Sequence, residues 1–348
     1  MFVLFVAAWS APGLAVTDDD GGIQGDPAKA GAGIVTGDAE AGEASGVDLV
    51  AAGRGSGHVL PTVRLTPRRV QVTGLDDSRR YLHGTWNYVN RLPTSFDGTP
   101  GSVPEWGKLE VPGHPVLQGY EKMPEEIGGT PMGYHYAFDV PGEWEGMRVI
   151  LRFEGVDGLS KVWINGRKAG ENDIATLPSE YDVTDLLKFG GSNDLTMTIE
   201  KSLVTLWSRR ELGGINRGVY LQALPVVNLA RLHADTTLGP DHRDATVNAR
   251  LKVANQSGRM LEGVRLRPRV RTADGEVVPT SLPKDQDVLL PPIAAGQTVE
   301  LKVPLLVEGP ALWTAETPTL YELECRLLVG DKPQMTATQR FGFRDVAV

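Results

Sequence analysis

The chain has 348 residues, with 24 Pro, 41 Gly and a net charge of −9 from 35 basic and 44 acidic side chains. That length holds two ordinary β domains with chain to spare. The acidic balance, with no basic stripe, excludes a nucleic-acid binder, and a single cysteine, Cys325, excludes an intrachain disulfide.

Phe2 to Trp9 form an apolar run that leads into Pro12-Gly13-Leu14-Ala15. This predicts a secretory signal over 1–16, cleaved near Ala15, and a secreted or periplasmic protein; a misassigned start codon would make it cytoplasmic. The run is too short to span a bilayer, and no other segment approaches a membrane span. From Thr17 to His58 the composition is Gly, Ala and Asp with no aromatic ring. Eight acids there face only Lys29 and Arg54. Such a stretch buries too little apolar surface to offset its ordering entropy, so a disordered linker is expected over 17–58. Gly53, Gly55 and Gly57 lack the strand and spacing of a phosphate loop.

The first β block is expected over 59–224. Val149, Leu151 and Phe153 alternate with Arg148, Ile150 and Arg152, as in a strand with one buried face. Val162-Trp163-Ile164 meets Asn165-Gly166, the strongest short hairpin signal, because both central residues of a type I′ turn need φ > 0. Trp163 is expected to point inward. Leu195, Met197 and Ile199 form another alternating strand, and Val219 and Leu221 the next.

A second block follows over 225–348. Val247 to Val253 alternate with polar residues, and Val264, Leu266, Pro268 and Val270 alternate with Arg265, Arg267, Arg269 and Arg271. Pro268 makes that strand an edge, with the arginines turned outward against aggregation. A strand follows at Val299 to Leu305. In Tyr321 to Val329 the inward phase carries Cys325, a buried and inert thiol by this reading. A last strand is expected from Gln339 to Val346. Strands at this spacing make a sandwich of about 120 residues.

Several motifs occur together and in order. They are Leu82-x-Gly84-x-Trp86, Val111-Pro112-Gly113, Tyr134 to Pro141, Val162 to Gly166 with Gly170, Leu177-Pro178-Ser179-Glu180-Tyr181-Asp182, and Gly214-Ile215-Asn216-Arg217-Gly218-Val219-Tyr220-Leu221. Leu312-Trp313, Pro318-Thr319-Leu320-Tyr321 and Phe341-Gly342-Phe343-Arg344 follow. In this order they resemble the amino-terminal part of glycoside hydrolase family 2, the family of large β-galactosidases and β-glucuronidases, over Tyr81 to Val346. The resemblance implies an all-β chain, a jelly-roll sandwich followed by an immunoglobulin-like β-sandwich, to which the linker composition adds a disordered amino-terminal segment.

It also implies that both catalytic glutamates belong to a barrel that follows these domains. A barrel takes roughly 250 residues, whereas the sequence stops at Val348. No catalytic residue is therefore assigned, and the chain alone is expected to be inactive. Of the two family side chains that reach the sugar pocket from the jelly roll, the Asp position falls on Thr205 and the Asn position near Gly129. Neither is retained.

The candidate substrate-binding set is Trp207, Arg209 and Glu211, an indole face beside polar groups that orient hydroxyls. The alternative is that Trp207 packs in the sandwich or against a barrel. Trp86 and Trp106 fit either role. Arg217, Trp313 and Arg344 are candidates for a domain interface, Arg217 through an ion pair, and the Gly213 to Leu221 side is the expected docking face for a barrel. The six His residues show no paired ligand spacing and His135 reads as an ordinary strand position. No metal and no cofactor is expected. The expected partners are a carbohydrate or a catalytic barrel domain, with no nucleic acid and no membrane. Three functions compete: the non-catalytic part of a glycosidase, an exported stand-alone carbohydrate-binding protein, and a truncated remnant.

Overall fold

The computed structural model describes residues 69–121, 129–175, 177–200 and 213–345, together with the backbone of 48–51. Two short strands come first, β1 (Asp48–Ala51) and β2 (Arg69–Val72). Then follow β3 (Arg79–Tyr81), β4 (Gly84–Val89), β5 (Gly107–Val111), β6 (Met132–Asp139), β7 (Arg148–Phe153), β8 (Val156–Asp157), β9 (Leu159–Ile164), β10 (Arg167–Asn172), β11 (Ser179–Asp182), β12 (Ser192–Glu200), β13 (Gly214–Ile215) and β14 (Val219–Leu224). The last group is β15 (Val227–Leu238), β16 (Ala245–Asn255), β17 (Val264–Thr272), β18 (Val277–Val278), β19 (Val288–Leu289), β20 (Thr298–Val307), β21 (Tyr321–Val329) and β22 (Lys332–Phe341). The chain is all-β, and the helical turns among the described residues are three-residue 3₁₀ pieces.

In the first sandwich a six-stranded antiparallel sheet, β10-β9-β12-β6-β4-β5, faces a four-stranded one, β11-β7-β14-β3. Alternation places Trp86, Tyr88, Tyr134, Phe153, Leu195, Met197 and Ile199 in one buried cluster. Trp86 is fully buried, and its indole N–H donates to the Leu82 carbonyl at 3.0 Å. The Asn165-Gly166 hairpin forms as expected, with φ of 52° and 76°. That turn sets the register and corrects the reading of Trp163. Val162 and Ile164 point inward, so Trp163 must stand on the outer face, where Phe96 meets it edge-on at 5.5 Å. Gly98 lies flat on the indole, where any Cβ would sit 2.5 Å from the ring.

The free edge of β5 is closed by side chains. The Tyr120 hydroxyl accepts from Lys108 N (3.1 Å) and donates to Lys108 O (2.8 Å). Gln118 does the same for Glu110, at 2.8 and 3.0 Å. A phenol and an amide thus stand in for a missing neighbour strand.

The second sandwich pairs β1-β20-β16-β15 with β18-β17-β21-β22-β2, and β19 also joins β17. Its buried cluster includes Val247, Leu251, Val264, Leu266, Leu301, Leu323, Cys325 and Phe343, and takes in Ile150 and Leu224 from the first sandwich. Cys325 is buried as expected, and burial pushes its thiol pKa up.

Strand β17 departs from the expected edge. It pairs along its whole length with β21, while the two-residue strands β18 and β19 flank its other side. Pro268 falls in the gap between them, the position where a missing N–H is tolerated. The arginines are engaged: Arg265 and Arg267 both meet Asp287, and Arg271 meets Glu324. The Arg267 hydrogen bond holds the Asp287 carboxyl below its usual range, against the opposing effect of burial. The closing strand also ends earlier than expected, at Phe341, and Phe343 then forms a parallel bridge with Leu312.

A further departure is topological. β2 precedes the first sandwich in sequence, yet it lies on β22 of the second in the register Arg69↔Thr338 to Val72↔Met335. β1, inside the expected linker, lies on β20 of the opposite sheet. The chain thus straps the second sandwich before it builds the first. Ser78 anchors the crossing, because Gln222 donates to both its carbonyl (2.7 Å) and its hydroxyl (3.0 Å).

Candidate functional site

Trp207, Arg209 and Glu211, with Thr205, lie outside the described residues. The segment following them is firmly placed. Gly213 N donates to Asp157 Oδ2 at 3.2 Å, His114 Nδ1 donates to Gly213 O at 3.0 Å, and Gly113 N donates to Ile215 O at 2.7 Å. β13 pairs with β8. Gly214, at φ +105°, is crowded by Pro115 and by the Tyr134 hydroxyl, so only glycine fits. That hydroxyl is buried and has no hydrogen-bond partner among the described residues, and burial raises its pKa. Arg217 is exposed, lays its stem across Gly155 and makes no ion pair with a described residue.

Trp313 and Arg344 come together in the second sandwich. The Arg344 guanidinium lies 4.9 Å from the indole centroid, and Gly342 packs against Trp313 at a spacing no Cβ permits. Trp313 N donates to Phe343 O at 2.8 Å. Both residues line a cavity of about 600 Å³ with His233, Asp235, Leu320 and Arg340. His233 Nε2 meets Asp235 at 2.9 Å. Leu320 is 41% exposed, an apolar side chain open at the rim. Arg217 stands apart, on the first sandwich.

A retaining glycosidase needs two carboxyls in different protonation states. Glu154 and Glu180 are brought together, but both bind Arg152, at 2.9 and 2.8 Å. Arg152 is 2% exposed; burial works against its charge, and the Glu154 hydrogen bond and nearby carboxylates more than restore it. Both glutamates are thus held as charge partners. Among the described residues, no group of three His, Cys, Asp or Glu is placed to hold a metal, and no helix is long and apolar enough to cross a membrane.

One polar cluster escaped the sequence reading. His135 is buried to 9% on the outer face of the six-stranded sheet, with Asn87 at 2.7 Å from Nδ1 and Asp194 at 2.8 Å from Nε2. Lys108 Nζ donates to Asn87 Oδ1 at 2.6 Å, and the Trp106 ring lies 5.8 Å from the imidazole. The available signal was phase: each of these residues lies opposite an inward-facing neighbour. The register that unites them spans four strands and is invisible locally.

The fold defines a two-sandwich, all-β module in which a jelly roll and an immunoglobulin-like domain share buried residues. The chain belongs to glycosyl hydrolase family 2. The profile of the family's sugar binding domain matches residues 115–237, and the profile described as "Glycosyl hydrolases family 2" matches 227–344. A β-galactosidase of Clostridium acetobutylicum is 30% identical over 263 residues, 68% of this chain and 27% of that protein. One from Halalkalibacterium halodurans is 26% identical over 298 residues, 76% of this chain and 28% of its own length. The chain therefore spans about a quarter of these curated relatives. Among solved structures, a family 2 member from Bacteroides cellulosilyticus superposes with a TM-score of 0.65 at 19% identity, covering 78% of this chain and 37% of that one. A Bacteroides uniformis β-glucuronidase gives 0.66 at 21%, covering 80% and 33%. The resemblance read from the motifs is thereby established, and so is the fold class.

Proposed function

We propose that these residues form the non-catalytic amino-terminal part of a family 2 glycosidase that hydrolyses O-glycosyl bonds and is β-galactosidase-like. The carrying observation is that the two family profiles match consecutive segments, while the matched β-galactosidases extend to nearly four times the aligned length. In this reading the sandwiches support a catalytic barrel. The Trp313–Arg344 cavity, with Leu320 open at its rim, is a surface suited to that partner. The chain alone should leave nitrophenyl β-galactoside uncleaved; turnover by the purified chain would refute the reading.

A second reading is favoured by the sugar-binding profile over 115–237. Here the chain acts as an exported carbohydrate-binding protein through Trp207, Arg209 and Glu211. Calorimetry over a glycan panel, with Trp207→Ala as the losing variant, tests it, and zero heat throughout rejects it. The apolar run Phe2 to Trp9 supports export; amino-terminal sequencing of the mature protein, beginning after Ala15, checks that step.

A further inference from the structure

The outer face of the six-stranded sheet carries an ordered row that the 201–212 segment does not include. Its hydrogen-bond directions follow from chemistry alone. Lys108 can only donate, so Asn87 presents its oxygen to it and turns its amide N–H toward His135. The Nδ1 of His135 therefore accepts, its Nε2 carries the proton, and Asp194 receives it. A buried imidazole thus fixes an amide, an ammonium and a carboxylate in one relay before any ligand arrives.

The relay leaves capacity unused. Lys108 keeps further N–H groups, Asn87 a second amide hydrogen, and Asp194, whose side chain is 44% exposed, most of its lone pairs. Beside them stands Trp106, half-buried, with its indole N–H held by the Pro100 carbonyl at 3.1 Å. Ala137, opposite Asp194 in the register, is exposed and lays a low floor where a larger side chain would stand up. From Lys108 on β5 to Asp194 on β12 is three strand spacings, about 14 Å.

We propose that Trp106, Lys108, Asn87 and Asp194, over the floor of Ala137, form a saccharide-binding platform on the outside of the first sandwich. One cation and one anion cancel, so the site suits a neutral ligand. Free donors on Lys108 and Asn87 and an acceptor on Asp194, beside a single indole face, match hydroxyls beside C–H groups. The rigid relay lowers the ordering cost of binding. The proposal rests on the reading that this family module handles carbohydrate.

The test uses the full chain with lactose, cellobiose and xylobiose as probes, followed by calorimetry and by ¹⁵N chemical-shift changes. At least one disaccharide binds the wild type. Trp106→Ala and Ala137→Arg each weaken it at least about tenfold. Ala137 is exposed, so Ala137→Arg should keep the wild-type melting temperature even if Trp106→Ala loosens the fold. Binding that survives Ala137→Arg and vanishes in Trp207→Ala overturns the platform and leaves the carbohydrate reading intact. No binding of any of the three probes also overturns the platform, and the glycoside assay then judges the family reading separately.

Discussion

Val72 decides how much the strap contributes. It is 2% exposed on a four-residue strand paired to β22, and Val72→Asp places a carboxylate where no described cation waits. Burying an unpaired charge is expensive enough that the strap should leave the sheet instead. The loss is therefore capped by the strap's own net contribution. Each ladder bond is worth about 1 kcal/mol net, and full burial of Val72 adds about 2 kcal/mol. Ordering each residue costs about 1–2 kcal/mol. The balance leaves no more than about 3 kcal/mol, or roughly 10 °C in melting temperature for a unit of this size. Differential scanning fluorimetry should thus show a modest shift. Limited proteolysis should show new cleavage near Val72 under conditions that spare the wild type. A fall beyond about 5 kcal/mol would mean the strap cannot detach, and unchanged proteolysis would mean it is not held; either result refutes the reasoning.

Removing the edge caps by Gln118→Ala with Tyr120→Phe frees the outward backbone groups of Lys108 and Glu110. Sedimentation should then detect self-association along β5, whereas a concentration-independent monomer would count against the capping role. Arg152→Ala leaves Glu154 and Glu180 facing one another without their cation, and urea unfolding should report a loss of about 2–4 kcal/mol. Asp287 gives a pH signature. Its folded pKa is depressed, so its contribution is complete above the unfolded value near 3.9 and disappears as pH falls through the folded one. Asp287→Asn should be less stable than wild type at pH 7, and the gap should close below about pH 4; a gap that widens in acid would reverse the sign.

Local signals carried most of the strands. Asn165-Gly166 fixed a turn, and the period-two runs around Val247 and Tyr321 became strands with the expected buried phase, whereas the run around Val149, expected to bury one face, is buried on both, with Ile150 in the second sandwich's core and Arg152 2% exposed. What failed was pairing at a distance. Arg69 meets Thr338 across about three quarters of the chain, and nothing in the sequence near residue 69 distinguishes that partner from a strand of the first sandwich. Trp163 failed differently: Val162 and Ile164 on either side take the inward phase, and strand parity then turns the indole outward. Large apolar side chains do not choose a face independently of their strand.

The same distinction explains the site. Trp313 and Arg344 both lie in one short run of motifs, and a single bridge, Leu312 to Phe343, brings them together. The relay of Lys108, Asn87, His135 and Asp194 draws one residue from each of four strands. Each residue looks like an ordinary outward position until the sheet order is known. A polar cluster assembled by register has no local grammar, and its specificity resides in strand order. Moving β5 by one residue along β4 would turn Lys108 inward and expose Leu109 in its place. The caps on β5 therefore do more than block aggregation. Tyr120 and Gln118 grip Lys108 and Glu110 by their backbones, the two residues whose phase sets the first member of the relay.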